Sequence, residues 1–356
     1  MSSGIALARL MFVVLGLVFI ATASLRARPQ SDVLIMRNGD RLTCEIKRLE
    51  RGVLYASFDY VDGTVSINWA KVARVESRQL FIVQAEDGSV YEGALRTEEA
   101  PGKAPVRIEV LHPAQPARVF EQGRVVELHQ TAESFWKRVS GNFDSGLIYT
   151  KGNDTTQYNL GVGLRLRRER WNGEVGFNST LSKTAGVSAS TRNESWVQAE
   201  RLVGRKRWFY AGAARFLESA QQGINLQTTL GGGAGRYVKD SNSARFSVLA
   251  GLAYQKTQYE PASGSQNPPN AMAGLFAGNL QLFRFKKTAL ELSASALPVL
   301  TEAGRVRTYV NSSYSIQIVA NLWFKISFYG NWDNRPPATF SGSDYGTSSN
   351  VSWTFH

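Results

Sequence analysis

Cysteine occurs once, at Cys44, so no disulfide can form within the chain. Its β-branched, alternating neighbourhood marks it as a small core residue. Histidine occurs three times, as His112, His129 and His356. None lies in the long alternating half of the chain except His356 at its extreme end. A hydrolase that needs an imidazole beside its nucleophile therefore has no place to be built there. There is no His/Cys cluster, and the acidic pairs Asp59/Asp62 and Glu86/Asp87 lack the spacing of a calcium loop. Gly231-Gly232-Gly233 with Gly235 lacks the lysine of a phosphate loop and no helix follows it. No catalytic residue, cofactor or metal is expected. Apolar runs are also short. None reaches the ~18 residues of a membrane helix, so any lipid contact falls to strands, because only helices and closed barrels satisfy the backbone inside a bilayer.

The longest apolar run, Leu10–Ala23, follows Arg9 and ends in the small residues Ala21-Thr22-Ala23. This is the pattern of an export signal, expected over residues 1–23. The formal charge is +12, and removing that segment takes away Arg9 and no acid, leaving +11. An exported basic protein suits anionic lipid headgroups or lipopolysaccharide, and export disfavours nucleic acid.

Residues 31–131 read as short strands punctuated by Asn38-Gly39, Glu50-Arg51-Gly52 and Asp62-Gly63, strong hairpin signals. A second pass echoes the first: Leu80–Leu95 resembles Val33–Ile46, and Arg118–His129 resembles Ser66–Ser77. One or two small SH3-like or Sm-like β-folds are expected, of a kind that binds peptides, polymers or proteins. Tyr55, Phe58, Tyr60 and Trp69 are the candidates for an aromatic groove, with the core as their alternative place. Phe135 and Trp136 then lead into the second part as a membrane-surface anchor or an inter-domain contact.

Residues 135–356 change character. Apolar and small polar residues alternate with period two through about twelve segments, from 139–149 to 345–355. The last is the clearest: Tyr345, Val351, Trp353 and Phe355 share a face opposite Gly346, Ser348, Asn350, Ser352 and Thr354. An even set of such segments predicts an antiparallel transmembrane β-barrel that closes on its C-terminal strand. That strand is the candidate signal for the barrel insertion machinery. Every second connection is short, as expected of periplasmic turns. Segments 191–203 and 206–217 alternate poorly. Arg165, Arg167, Glu174, Glu291, Arg305, Arg307 and Lys325 fall on the inward face. Unpaired, the arginines would select anions in a pore; paired with the acids, they would fill the lumen.

Phe143–Asn153, Gly231–Tyr237, Tyr329–Pro337 and the aromatic last strand resemble the salt-induced outer-membrane-protein family, a domain of unknown function numbered 481. The segment Val33–Ser77 looks like the small β-domain that often precedes it. The resemblance implies a Gram-negative outer-membrane barrel with a periplasmic β-domain, and no reaction. The expected role is a small channel or envelope-stress component, with a binding protein on a barrel anchor as alternative. Expected partners are outer-membrane lipid, the insertion machinery, and peptidoglycan or another envelope protein.

Overall fold

The computed structural model describes residues 30–98, 105–131, 139–150, 155–167, 171–184, 186, 189–203, 207–260, 270–284, 288–319, 321–336 and 341–355. The expected export signal and the pair Phe135 and Trp136 lie outside the described residues. Among those residues no helix is long and apolar enough to cross a membrane.

The N-terminal part is a nine-stranded sheet. Its strands are β1 (Asp32–Met36), β2 (Arg41–Glu50), β3 (Val53–Phe58), β4 (Val61–Asn68), β5 (Val72–Ala85), β6 (Val90–Glu98), β7 (Arg107–His112), β8 (Gln115–Glu121) and β9 (Val125–Gln130). Their order is β4-β3-β2-β1-β5-β6-β7-β8, with β9 on β2 and β5. The first half of β5 pairs with β1 and the second half with β9, so one long strand serves two five-strand units. In each unit a 3-10 turn precedes the closing strand, at Trp69–Lys71 and at Gln122–Arg124. The two turns clasp each other. Trp69 Nε1 donates to the Gln122 carbonyl at 2.9 Å, and Gln122 Nε2 donates to the Trp69 and Val72 carbonyls at 2.6 and 2.8 Å. One apolar core runs through both units, from Leu34, Ile46 and Leu54 to Phe81, Leu95 and Leu128.

Twelve further strands form a closed barrel. They are β10 (Val139–Thr150), β11 (Thr155–Arg167), β12 (Trp171–Thr184), β13 (Ser190–Val203), β14 (Trp208–Ser219), β15 (Ile224–Asp240), β16 (Ala244–Tyr259), β17 (Asn270–Arg284), β18 (Thr288–Pro298), β19 (Val306–Val319), β20 (Leu322–Asp333) and β21 (Ser343–Phe355). Each pairs antiparallel with the next. The ring closes where β10 meets β21, from Gly141 opposite Phe355 to Ser145 opposite Val351. This is the all-β architecture that the alternation predicts. Leu164, Val175, Val248, Leu252, Leu292, Ile316, Ile326 and Val351 turn outward and stay exposed, the lipid-facing band of an outer-membrane barrel. Trp171, Trp208 and Trp353 at one end and Tyr254 and Trp332 at the other supply exposed aromatics for two interface girdles.

The weakly alternating strands have a physical explanation. In β13 and β14, Leu202, Phe209 and Leu217 are buried on the inward face, while Asn193 and Ser195 share the outward face with Val197. Trp196 also points inward, and its ring occupies the space that a side chain at position 176 would need, so Gly176 leaves room for it. Gly235 does the same for Phe209.

Cys44 is fully buried among the core residues of the sheet. Burial, reinforced by Asp32 and Glu45, pushes its thiol up to about 12. Thiolate is the reactive form, so Cys44 is expected to resist a thiol-specific reagent at pH 8 in the folded protein and to react fully in denaturant.

Candidate functional site

The lumen holds two layers of polar side chains. One lies at the end of the longer connections. There Glu194 of β13 stands 2.6 Å from Arg215 of β14 and 2.9 Å from Arg192. Arg192 Nε is 3.5 Å from the Asp344 carboxylate of β21, and its guanidinium lies 4.5 Å above the Tyr329 ring of β20. Arg215 lies 4.5 Å above the Tyr309 ring of β19. Ser219 Oγ donates to Asp344 at 3.0 Å, and Tyr309 Oη donates to Gln227 of β15 at 3.2 Å. β13 and β20 stand five strands apart in a ring of twelve, so these contacts span nearly the full width of the lumen. Beside them Arg305, only 1 % exposed, bonds Glu302 at 2.8 Å and Asp333 at 2.7 Å. Arg307 bonds Asp333 at 3.0 Å and also reaches Gln255. Cation–π contact and ion pairing account for all four arginines.

The second layer lies at the end of the short turns, where the β-domain sits. Arg165 pairs with Glu174 at 3.1 Å and Lys325 with Asp144 at 2.9 Å. Glu291, also inward, is taken by a residue from outside the barrel: Arg51 Nη2 donates to it at 3.0 Å. Arg51 belongs to the turn Glu50–Gly52 between β2 and β3, which enters the barrel mouth. Its guanidinium lies 5.7 Å over the Phe283 ring. Four further contacts hold the domain to the rim, one of them Gln84 Nε2 donating to Asp240 at 3.0 Å. Arg245 bridges Glu127 of the domain at 2.5 Å and Asp240 at 2.9 Å. Asn242 Nδ2 donates to the Gly123 and Val125 carbonyls at 3.1 and 3.0 Å. Arg207 lies 3.8 Å from Glu86. The backbones approach closely: a Cβ at Gly52 would fall 2.7 Å from the Asn242 carbonyl oxygen, and one at Gly88 would fall 3.1 Å from the Arg207 nitrogen. Arg51 (φ +55°) and Arg207 (φ +57°) are the only non-glycine residues with left-handed backbone among those described, and both lie at this seam.

The expected lumen residues Arg165, Glu174, Glu291, Arg305, Arg307 and Lys325 are thus all held in ion pairs, while the Arg167 side chain lies outside the described residues. The four candidate groove aromatics do not line one groove. Trp69 and Phe58 belong to the core, Phe58 because its position on β3 points it inward and Trp69 because its turn clasps that of Gln122. Tyr55 lies under Arg48, whose guanidinium is 4.0 Å from the ring centre. Burial raises its hydroxyl above the usual tyrosine value, against the lowering pull of Arg48. Tyr60 is 75 % exposed at the far tip of the domain. On the last strand Tyr345, Val351 and Trp353 are exposed on the outward face, and the Phe355 ring lies 5.6 Å from Trp353. The sequence reading missed Arg192, Glu194, Arg215 and Asp344, and it missed the inserted turn. Among the described residues no group of three or more His, Cys, Asp or Glu is placed to hold a metal.

The family model described as "Protein of unknown function, DUF481" matches residues 143–355, more than half of the chain. No curated protein matches it. Among solved structures, an outer membrane channel from Pseudomonas putida F1 is 8 % identical, covers 61 % of this chain and 94 % of its own, with a TM-score of 0.34. The beta domain of a Bordetella autotransporter is 13 % identical over 61 % of this chain and 98 % of its own, with a TM-score of 0.33. The translocator domain of an autotransporter from Neisseria meningitidis is 12 % identical over 60 % and 86 %, with a TM-score of 0.32. Scores of this size carry no functional argument.

Replacing Glu194 by alanine would take the carboxylate from Arg215 and leave Arg192 with Asp344 alone. The expected loss is about 3–5 kcal/mol, the cost of breaking a buried pair by removing one partner. Urea unfolding of the variant barrel, followed by tryptophan fluorescence, measures it.

Proposed function

The chain belongs to the DUF481 family, whose function is unknown, and we propose that it is a non-enzymatic outer-membrane protein whose barrel is a closed anchor for a periplasmic β-domain. The observation that supports this reading is the span of Arg192, Glu194, Arg215 and Asp344 across the lumen. An ion would have to part charged groups that are already paired. At the other end the turn Glu50–Gly52 occupies the mouth. An ion therefore meets two obstacles in series.

The barrel takes up lipid on its outward band, with lipopolysaccharide in the outer leaflet, and its last strand is read by the insertion machinery. The β-domain, held against the rim, turns its far side to the periplasm. Tyr60, Val61 and Val119 are exposed on the domain and offer apolar contact to an envelope partner, either peptidoglycan or a protein. A channel reading keeps one observation in its favour. Many inward positions are small, among them Gly161, Gly163, Gly233, Ser293, Ser313 and Ser327, and the inward Asn178, Gln198 and Asn311 are exposed. An ion path along these positions would require both layers to part.

Conductance of the full chain in a planar bilayer under a salt gradient decides between the two. The expected result is a silent, folded barrel. Steady ion-selective steps from the wild-type chain would overturn the anchor reading.

A further inference from the structure

The outer wall is not uniformly covered by large side chains. Across β14 to β18 two neighbouring rows of paired positions run through Trp208–Arg236–Val248–Gly278–Ala294 and Tyr210–Ala234–Ala250–Phe276–Ala296. Every one of these positions has the outward parity of its strand. Where nearby outward positions carry Leu252, Leu282 and Leu292, this floor carries Ala234, Ala250, Gly278, Ala294 and Ala296. Trp208 and Phe276, the latter 57 % exposed, stand up as its sides. The result is an open apolar groove of about 670 Å³, within the ~300–1,000 Å³ of small-ligand sites.

The groove has one charged end. Arg236 lies at its short-turn end, directly paired with Trp208 and with its guanidinium 5.8 Å from that ring. One row further into the wall and diagonally across β14, Arg201 stands 5.3 Å from the Trp171 ring. Both arginines face outward, and neither has an acidic partner among the described residues. Trp171 and Trp208 begin their strands at that rim, so the two cations sit at headgroup depth while the groove rises into the hydrocarbon. A guanidinium there matches a phosphate in charge and in the fork of its donors.

We propose that this groove is a binding site for one anionic phospholipid of the periplasmic leaflet, an acyl chain lying on the alanine–glycine floor and the phosphate held by Arg236, with Arg201 adding to the positive charge of the same rim. The proposal rests on the reading that the short-turn rim is periplasmic. A second copy of the barrel is disfavoured by the same charges: a two-fold contact about the membrane normal would bring like arginines together at one depth.

Native mass spectrometry of the full chain in detergent, titrated with phosphatidylglycerol, phosphatidylethanolamine or lipid A, tests it. Phosphatidylglycerol is expected to bind more tightly than phosphatidylethanolamine. Arg236→Gln is expected to weaken phosphatidylglycerol about fivefold, the worth of one basic side chain at an anionic lipid surface. Ala250→Phe fills the floor and is expected to weaken both phospholipids alike, while heat-modifiable gel mobility checks that the barrel remains closed. Equal binding of the two phospholipids, or no change in either variant, would overturn the site. Tighter binding of lipid A than of phosphatidylglycerol would overturn the leaflet, and with it the orientation, while leaving the silent-barrel result untouched. A dimer mass that persists without lipid and is lost in Ala250→Phe would assign the groove to a second copy instead.

Discussion

A wall standing in hydrocarbon can leave no backbone donor or acceptor without a partner, and the rest of this molecule follows from that requirement. It forces the ring to close, which β10 and β21 accomplish over the few residues from Gly141 to Ser145. Closure fixes the register of every strand, and register with the period of two decides which side chains meet lipid and which meet the lumen. The outward band is then apolar by necessity. The inward face is free to be polar, and twelve strands enclose more space than small residues fill. Long side chains cross it at two heights, as arginine, glutamate and tyrosine.

The two charged layers differ in how they are completed. The layer at the longer connections is self-sufficient: Glu194, Arg192, Arg215 and Asp344 all come from the barrel wall. The layer at the short turns is not. Glu291 takes its cation from Arg51, and Arg245 takes one of its two carboxylates from Glu127. A barrel without the β-domain would keep these charges in a partly desolvated mouth with fewer partners, and such groups are costly. The domain is therefore part of the electrostatics of the barrel and more than a passenger tethered to it.

What could be read in the sequence was local. Alternation gave strand positions within a few residues, because the side-chain period of a strand is a property of neighbours in sequence. The turns Asn38-Gly39 and Asp62-Gly63 were legible for the same reason. The poorly alternating stretch 191–217 was illegible because Trp196, Phe209 and Leu217 put apolar bulk on the lumen side. Their neighbours Gly176 and Gly235 make the space, but nothing in one strand reveals the needs of the next. The cross-lumen set was hidden by distance. Ser219 and Asp344 are 125 positions apart, and Arg51 and Glu291 are 240 apart. Parity assigned Glu291 to the lumen, yet no pattern within a strand says which cation will arrive there. The groove aromatics failed differently. An alternating Tyr55 and a buried Trp69 look alike in sequence, and only the clasp between Trp69 and Gln122 shows that the tryptophan closes a core.

The seam also explains an otherwise costly choice of residue. Left-handed backbone at a side-chain-bearing residue costs on the order of 1–3 kcal/mol and persists only where its surroundings hold it. Glycine would remove that cost at positions 51 and 207. Arginine stands at both, because each sends a cation across the gap: Arg51 from beside Gly52, whose backbone meets Asn242, and Arg207 from where its own backbone meets Gly88. Arg51 reaches from the domain into the barrel, and Arg207 reaches from the barrel rim to the domain. Two reciprocal contacts on opposite partners resist sliding and tilting together, which neither would resist alone. The β-domain and the barrel thus meet as fitted parts, with the position of one set by the charges of the other.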